Sequence, residues 1–484
     1  MVNLGGATEN DRKKIVITKD SKAFFHNNVD YCVGTGRMGL ALTEEYQEEL
    51  RLVQKEIGFK HIRGHGLFCD DMAIFQTYEE DGKVRVEYNY TYLDRVMDAY
   101  KKVGLRPFLE LGFMPKKLAS GSQTIFYWQG NTTPPKDYDM WCNMVHSLLR
   151  HLMGRYGEEE VIQWPIEVWN EPNLCGFWEN ADMQEYFKLF HRTFDAIKEV
   201  NPGFRVGGPA VCGGTDEKWI QAFMEYCHEN HIPVDFVTRH HYTIDPPECI
   251  GHYAYSELMK AEDGFANLKT TRDIIDSFPE YKGLQIHITE FNSSYTPQGV
   301  IHDTNLNAAF IAQQLSRLGD VNESYSYWTF AFYKKLEESE ANCVYKDDNI
   351  VVLKRANGDY LGVAWNIARK STEQGKEKML LEFTFPAEQE EYCFLTKTVD
   401  EETCNPLKVW HDMGEPANLS EEQTKLIRES SRPFVKTERK KQEDGNICVE
   451  LPVNENGVVY FELNAGKVNP DRGYDYDRVV SSGR

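Results

Sequence analysis

Apolar, strand-like segments alternate with helical segments from about residue 31 to residue 338. A helical pattern follows each predicted strand; in residues 182–200, for example, apolar side chains recur at helical spacing. Eight strands that each lead into a helix predict a (β/α)8 TIM barrel of the α/β class, with its active site at the carboxyl ends of the strands. The predicted strands lie at residues 30–36, 61–67, 106–113, 164–171, 204–211, 234–243, 285–292 and 324–330.

The pattern changes after residue 342, where strand-like runs follow one another directly. Runs at 349–355 and 360–366 flank an Asn357-Gly358 pair, which is a strong hairpin signal. Similar runs continue to residue 463, with a capped helix at 420–430, and predict a β-sandwich-like domain with a short helical insertion. We therefore predict an N-terminal segment over residues 1–29, a barrel over 30–342 and the β-sandwich-like domain over 343–484. A strand at 14–25 in the N-terminal segment could join the sheet of that last domain.

Two of the predicted barrel strands end in a glutamate. The run WPIEVWNEPN brings the fourth strand to Glu171, and QIHITEFN carries Glu290 near the end of the seventh. Cleavage of a glycosidic bond requires such a pair, because one acid protonates the leaving oxygen while the other carboxylate attacks or activates water. A lone glutamate at a strand end would more often cap a helix or pair with an arginine. The second glutamate and the Asn-Glu-Pro setting favour the catalytic interpretation.

The surroundings of the two glutamates predict different roles. Pro172 disfavours helical geometry at the residue before it, so we expect the strand to end extended, with Glu171 projecting at the rim. In a more desolvated position Glu171 would stay protonated and act as acid, then as base for water. Glu290, partly solvated and near donors, would stay ionised and act as nucleophile. Asn170 can donate a hydrogen bond to a sugar hydroxyl.

Histidines also lie at predicted strand ends. His65, between Gly64 and Gly66, ends the second strand, and His240 ends the sixth. Histidines gathered from several strands could be zinc ligands. The His-X-His pairing expected of a metal site in a barrel is absent from the strand ends, so we predict no metal. Hydrogen bonding to sugar hydroxyls is the favoured role for both histidines.

Aromatic residues near the strand ends could stack on sugar faces or fill the core of the barrel. Trp128 and Tyr295 lie in loops and are the better candidates for sugar contact, with Tyr242 and Trp328 also included. Two acidic residues inside strands are harder to interpret. We expect Glu167 to be a structural, hydrogen-bonded barrel residue, and Glu110 to be buried without an assigned role.

Composition narrows the classes of partner. A formal net charge of −22 disfavours nucleic acid and anionic membrane surfaces, which would repel the protein. Eleven scattered cysteines without a Cys-X-X-Cys motif indicate free thiols in a reducing compartment. The sequence shows neither a secretory leader nor an apolar run of membrane-spanning length. We expect a soluble, cytoplasmic protein.

Several segments together carry a resemblance to a known family. They spread over residues 31–330 and read YCVGTGRMGLAL, FKHIRGHGL, GFMPKKLASG, NEPN, VGGPAVCGG, RHHYT and HITEFNSSY. In these segments the chain resembles the β-xylosidases of glycoside hydrolase family 39, which are retaining (β/α)8-barrel enzymes.

The resemblance implies Glu171 as acid/base and Glu290 as nucleophile, with His65, Asn170 and His240 as xylose contacts and Tyr242 nearby. It further implies a cofactor-free, cytoplasmic homo-oligomer, commonly a tetramer. Such an enzyme would release xylose from the non-reducing end of short xylooligosaccharides during xylan degradation.

One departure from the family concerns the eighth strand. Residues 325–330 run directly into a helical segment at 331–336, where a connection of about 2–6 residues is usual. The family resembled carries a long loop here, with acidic residues that hold the sugar. Either this chain has lost the loop, which would weaken substrate binding, or its sequence passes over a segment of the natural protein.

Two other functions compete with a xylosidase. An α-L-iduronidase must bind a sugar carboxylate, for which Lys116 and Lys117 are the obvious local cations. The acidic charge and the expected cytoplasmic location argue against it. A non-catalytic carbohydrate-binding barrel predicts a missing or replaced glutamate, whereas both glutamates are present.

Overall fold

The computed structural model describes residues 12–213, 215–325, 331–337, 341–368, 378–466 and 473–481. The chain divides into two compact units. One consists of Phe25–His302 and Arg317–Glu337, and the other holds the remaining described residues, including 303–316. The domain boundaries expected at residues 29/30 and 342/343 concern folding units and stay a prediction.

The first unit is built on one parallel sheet whose strands follow the order of the chain, from β1 at one end to β8 at the other. The Cα atoms of β1 and β8 come within 8 Å of each other, so the sheet curves into a nearly closed barrel. The (β/α)8 barrel predicted from the sequence is confirmed. Its strands are β1 (Cys32–Arg37), β2 (His61–His65), β3 (Arg106–Leu111), β4 (Ile166–Val168), β5 (Val206–Val211), β6 (Phe236–Tyr242), β7 (Gln285–Asn292) and β8 (Ser324–Tyr325).

The helices follow the sequence pattern both in where they begin and in the apolar faces that they bury. In the helix at Met183–Val200 the Asp182 side chain accepts hydrogen bonds from two backbone N–H groups of the first turn, and Tyr186, Phe190 and Phe194 line the buried face. Along the chain the helices are α1 (Glu44–Glu56), α2 (Thr91–Lys102), α3 (Tyr138–Tyr156), α4 (Glu158–Val161), α5 (Met183–Val200), α6 (Gln221–Glu229), α7 (Ala261–Asp276), α8 (Asn305–Ser316), α9 (Ala331–Glu337), α10 (Pro406–Asp412), α11 (Glu421–Ser430) and α12 (Tyr476–Ser481). Within the described ranges, none of them is long and apolar enough to cross a membrane.

The fourth strand differs from its prediction. Only Ile166–Val168 pairs as β4, and the following residues form a turn in which Trp169 and Glu171 have φ angles of 75° and 45°. The extended end expected before Pro172 is therefore wrong. Proline disfavours the right-handed helical region for the residue before it, and Glu171 occupies the left-handed region instead. A non-glycine residue held there is strained by about 1–3 kcal/mol, which surrounding contacts must offset.

Short hairpins extend from the barrel and were not predicted. Phe75–Glu80 pairs with Lys83–Tyr88 across Asp81-Gly82, whose φ angles of 52° and 71° suit a two-residue hairpin turn. An Asp-Gly pair between alternating residues is a readable hairpin signal, so this one could have been found. Two smaller hairpins join Thr124–Ile125 to Gly130–Asn131 and Glu248–Ile250 to Tyr253–Tyr255.

The second unit has two sheets that share one apolar core. The larger sheet is antiparallel with the order β9-β10-β11-β16-β13-β14, and the smaller places β12 between the N-terminal strand Arg12–Val16 and β15. Phe383 and Val449 of the small sheet pack with Val352 and Phe461 of the large one, which confirms the sandwich-like prediction. The strands are β9 (Asn342–Asp347), β10 (Ile350–Lys354), β11 (Tyr360–Asn366), β12 (Lys378–Pro386), β13 (Glu391–Val399), β14 (Phe434–Lys441), β15 (Asn446–Asn454) and β16 (Gly457–Ala465).

Two features predicted from local sequence signals are also present in this unit. The hairpin β10–β11 forms as predicted, with Gly358 at a φ of 91° in its turn. Ser420 and Gln423 form a capping box at the start of α11, the predicted helical insertion. Helix α10, which precedes it, was not predicted. No disulfide joins the eleven cysteines, all of which lie among the described residues.

Candidate active site

The carboxyl ends of β4, β6 and β7 bring three side chains together. His240 on β6 is in register with Glu290 on β7, just after an irregularity between Arg239 and His240. Glu171 reaches the same place from the turn after β4. One side-chain oxygen or nitrogen atom from each of Glu171, His240 and Glu290 lies within 4.8 Å of the other two. The two glutamates predicted from separate strand ends therefore face each other.

Backbone and side-chain contacts fix Glu171. Its peptide N–H donates to the carbonyl oxygen of Ala210 at 3.0 Å, which ties the turn to the end of β5. Its Oε1 lies 2.7 Å from Nδ1 of His240, a fully buried ring. The Cys212 thiol is also adjacent: burial first, then the charges of Glu171 and Glu290, raises the pKa of Cys212 to about 12. No sequence signal pointed to a thiol at this position.

Glu290 is surrounded by donors. Its Oε1 accepts from Arg63 Nη1 at 2.9 Å and faces His65 Nε2 at 3.2 Å, while Oε2 accepts from the Tyr242 hydroxyl at 2.7 Å. Burial opposes ionisation, but the positive charges of His240, His65 and Arg63 outweigh it and hold the pKa of Glu290 well below its usual range. Glu290 is therefore an ionised carboxylate at neutral pH.

Arg63 connects most of the site and was missed as a functional residue. This buried guanidinium donates to Glu167 through Nε at 2.7 Å and to Glu290 through Nη1 at 2.9 Å. Its Nη2 lies 2.8 Å from Asn170 Oδ1 and 2.9 Å from Glu110 Oε2. Burial works against the charge, yet these carboxylates raise the pKa of Arg63 further. An arginine inside a barrel strand was the available signal, since a buried charge requires partners.

His65 links a second buried acid to Glu290. Its Nδ1 lies 2.7 Å from Oε2 of Glu110, and its Nε2 faces Glu290. Burial favours the neutral ring, but the Glu110 carboxylate and then Glu290 outweigh it and raise the pKa of His65 to about 10. The ring lies beside Phe113 and Phe126, with centroid distances of 6.0 and 5.9 Å.

The predicted aromatic contacts divide into two groups. Trp128 stacks on Phe126 at 4.4 Å, beside the ring of His65. Tyr295 is 56% exposed and lies edge-on to Tyr242, with ring centroids 6.1 Å apart. Trp328 lies outside the described residues, as do all residues of the predicted eighth strand beyond Tyr325.

Glu171, His240 and Glu290 also offer the kinds of atom that bind a metal ion. In this site, however, Nδ1 of His240 is hydrogen-bonded to Glu171, and Glu290 accepts from cations and a hydroxyl on both oxygens. We therefore assign these atoms to hydrogen bonding and proton transfer rather than to a metal. One acid in contact with a histidine and one ionised carboxylate can together transfer a proton and attack a carbon atom.

Comparisons with known proteins agree with this geometry. The model of the family described as Glycosyl hydrolases family 39 matches residues 13–346 and 330–448. A β-xylosidase of Geobacillus stearothermophilus is 40% identical over 485 residues, covering 93% of this chain and 95% of that protein. The crystal structure of a monomeric β-xylosidase from Caulobacter crescentus CB15 superposes with a TM-score of 0.84 at 29% identity, covering 94% of this chain and 100% of that one. Human α-L-iduronidase is 27% identical over 197 residues, covering 38% of this chain and 27% of that protein.

Proposed function

This chain belongs to glycosyl hydrolases family 39, and from that membership we propose that it is a retaining β-xylosidase. It would release xylose from the non-reducing end of short xylooligosaccharides. The observation that carries the proposal is the pair formed by Glu171 and Glu290: one carboxyl group contacts a buried histidine, and the other is held ionised by cations. The 40% identity with a β-xylosidase over nearly the full length supports the choice of sugar.

The proposed reaction proceeds by double displacement. A carboxylate oxygen of Glu290 attacks the anomeric carbon while Glu171 protonates the departing glycosidic oxygen, which leaves a covalent xylosyl-enzyme. Glu171, now a carboxylate, removes a proton from water as the water oxygen attacks the same carbon. The bond to Glu290 then breaks, xylose leaves, and both glutamates return to their starting protonation states.

The separation of the two carboxyl groups supports retention over inversion. Oxygen atoms of Glu171 and Glu290 approach within 4.8 Å. Retaining enzymes place their carboxyl groups about 5–5.5 Å apart, whereas inverting enzymes need about 6.5–9.5 Å to admit a water molecule. The close approach of the two groups favours direct attack by the carboxylate over activation of a water molecule.

Several of the remaining residues are proposed as substrate contacts. Tyr242 donates to the nucleophile, and Asn170 accepts from the same Arg63 guanidinium that contacts it. His65 presents one ring face toward Phe126. Trp128 and Tyr295 would provide aromatic surface for the sugar. For His240, the complete burial of the ring and its bond to Glu171 favour orientation of the acid over contact with a hydroxyl.

An iduronidase is less well supported. Of its two candidate cations, Lys117 is exposed and donates to the carbonyl oxygen of Thr77, and Lys116 is also exposed. Arg63 is already shared among carboxylates and an amide. The human iduronidase match covers little more than a third of the chain. A parallel assay with an iduronide substrate separates the two functions.

Hydrolysis of nitrophenyl β-xyloside tests the proposal directly. We expect turnover by the wild-type protein and its loss in Glu290→Ala and Glu171→Ala, with 1H NMR showing β-xylose as the first-formed product. Glu158→Ala, on helix α4, is the matched control for removal of a glutamate elsewhere. The proposal is wrong if neither Glu171 nor Glu290 is needed, and retention is wrong if α-xylose forms first.

Location and assembly complete the proposal. The absence of disulfides among the eleven cysteines supports a reducing, cytoplasmic compartment, where the enzyme would finish xylan degradation on imported oligosaccharides. The homo-oligomer, possibly a tetramer, stays a prediction. Light scattering on the full chain would measure its mass against the 56.1 kDa of one subunit.

A further inference from the structure

His65 lies between two carboxylates and meets each with a different ring nitrogen. Nδ1 is 2.7 Å from Oε2 of Glu110, and Nε2 is 3.2 Å from Oε1 of Glu290. An ionised carboxylate only accepts hydrogen bonds, and a neutral imidazole has one N–H donor and one acceptor nitrogen. A neutral His65 would therefore turn a nitrogen lone pair toward one of the two carboxylates. Only the imidazolium ion satisfies both contacts.

We propose that Glu110 is a positioning residue that keeps His65 doubly protonated, so that His65 always has an N–H group to donate to the attacking carboxylate of Glu290. Glu110 does not touch Glu290 or the acid Glu171; it acts through His65. This inference rests on the proposed function only for the identity of the reaction. The protonation state itself is a property of the resting protein.

The environment of Glu110 suits this role. The side chain lies on β3 and is completely buried, and its Oε2 accepts from both His65 Nδ1 and Arg63 Nη2, the latter at 2.9 Å. Among the described residues, the charged groups that contact the His65 ring are Glu110 from β3 and Glu290 from β7, and Arg63 lies on the same strand as His65. The rings of Phe113 and Phe126 lie beside that of His65, with centroids 6.0 and 5.9 Å from its own. Only 11% of the His65 side chain is exposed, so the two carboxylates are the main groups that stabilise its charge.

The charge on His65 matters in both halves of the reaction. In the first half it keeps Glu290 ionised and ready to attack. In the second half Glu290 is the leaving group, and its developing negative charge is stabilised by donors that are already in place. Without the Glu110 carboxylate, the pKa of His65 would fall, and His65 would lose one of its two N–H groups at neutral to alkaline pH.

Glu110→Gln removes the negative charge of the side chain and keeps its shape. Glutamine has nearly the same volume, and its oxygen can still accept from His65 Nδ1, so a merely structural role is preserved. The substrate is 2,4-dinitrophenyl β-xyloside, whose leaving group departs without a proton from Glu171. We expect kcat/KM of the wild type to stay level between pH 6 and pH 9. In Glu110→Gln it should fall at least about tenfold over that range, because each pH unit above a pKa removes about 90% of the charged form.

Glu167→Gln is the matched control. Glu167 is an equally buried acid on the next strand, and it contacts Arg63 Nε rather than His65. Arginine stays charged without it, so Glu167→Gln can lower kcat/KM at every pH while the profile keeps the wild-type shape. Equal pH profiles for Glu110→Gln and Glu167→Gln would overturn the proposal.

A measurement on the wild type keeps the proposal testable if Glu110→Gln does not fold. In 15N NMR of the full chain at pH 8, with the signal assigned by its loss in His65→Gln, we expect both ring nitrogens of His65 to be protonated. A neutral His65 at pH 8 would contradict the proposal. This result does not depend on the substrate, so it stands or fails separately from the xylosidase activity of the wild type.

Discussion

Strand β2 carries a histidine at each end, and the pKa values of the two histidines are shifted in opposite directions. His65, at the carboxyl end, faces Glu110 and Glu290, and its pKa is raised to about 10. At the amino end the pKa of His61 falls to about 4: burial lowers it, and the charges of Arg106, Arg205 and Lys60 lower it further. Both rings are buried, so the difference comes from the sign of the neighbouring charge.

The same contrast is repeated on β7. Glu290 near its carboxyl end is a stabilised anion, whereas His287, three residues earlier, is completely buried and has its pKa lowered to about 3 by burial and by Arg205. His287 stacks on Tyr31 with ring centroids 4.9 Å apart. One end of the barrel therefore keeps charges in place for chemistry, and the other end keeps titratable rings neutral for packing. This division matches the general separation of catalytic and stabilising ends in barrels of this type.

The largest effect is expected from a substitution that disrupts only the catalytic end of the barrel. Glu290→Ala should lower kcat by about 10⁴-fold or more, because the proposed covalent step loses its nucleophile. Added azide should restore turnover and give α-xylosyl azide, since the small anion can occupy the vacated volume. The melting temperature should change little by comparison. An Ala variant that keeps wild-type kcat would show that the catalytic end has been misassigned.

Arg63→Lys is expected to damage both activity and stability. One ammonium group cannot reach the four partners of the guanidinium, so buried carboxylates such as Glu167 and Glu110 would lose their counter-charge. We expect a loss of about 3–5 kcal/mol in the free energy of unfolding, the usual effect of breaking a buried ion pair. Denaturant unfolding measures it. Arg155→Lys, at an exposed pair with Asp98, is the control and should change stability by less than about 1 kcal/mol.

Acid should weaken the packing end of the barrel. The folded pKa of His287 lies below the ordinary value, so the unfolded chain binds more protons between about pH 6.5 and pH 3, and stability falls as the pH falls through that range. At pH 5 we expect His287 to contribute a loss of about 2 kcal/mol relative to neutral pH. His287→Gln should remove that part of the acid sensitivity. If the unfolding free energies of wild type and variant decline in parallel from pH 7 to pH 5, the ring is not held neutral.

Alkali should act in the opposite sense on His65. Its folded pKa lies above the ordinary value, so its contribution is complete below about pH 6.5 and is lost as the pH rises toward 10. Between pH 6 and pH 7.5 the stability difference between wild type and His65→Gln should shrink by about 1 kcal/mol. Unfolding curves of the two proteins at both pH values measure it. If the difference in unfolding free energy grows between pH 6 and pH 7.5, the pKa of His65 is not raised, and the contrast with His61 is wrong.

The sequence predicted the parts of the molecule that depend on position along the chain. Glu171 and Glu290 could be placed at strand ends because apolar runs mark barrel strands and the carboxyl ends of those strands meet at one rim. The β10–β11 hairpin was predicted for a similar reason, since Asn357-Gly358 is a local turn signal. Such features require only the order of residues in one segment.

Features that depend on contacts between strands were harder to predict. Arg63 on β2 meets partners from β3, β4 and β7, and no single segment records that convergence. The role of Glu110 follows only from its distance to His65. Glu171 was expected to be extended, because the constraint from Pro172 excludes one backbone region without choosing between the others. The left-handed conformation is fixed by a bond to Ala210, a residue on another strand.

The turn that carries Glu171 is joined to β5 at two places: the Glu171 N–H bonds to the carbonyl of Ala210, and the Asn173 side chain accepts from the N–H of Cys212 at 3.0 Å. The proposed proton donor is thus anchored to a strand other than its own, and its position is already set before any sugar arrives. The free-energy cost of ordering the site is therefore met when the chain folds and not when the substrate binds. Evolution or engineering could then reshape the surrounding loops to admit a different sugar without having to rebuild the proton donor.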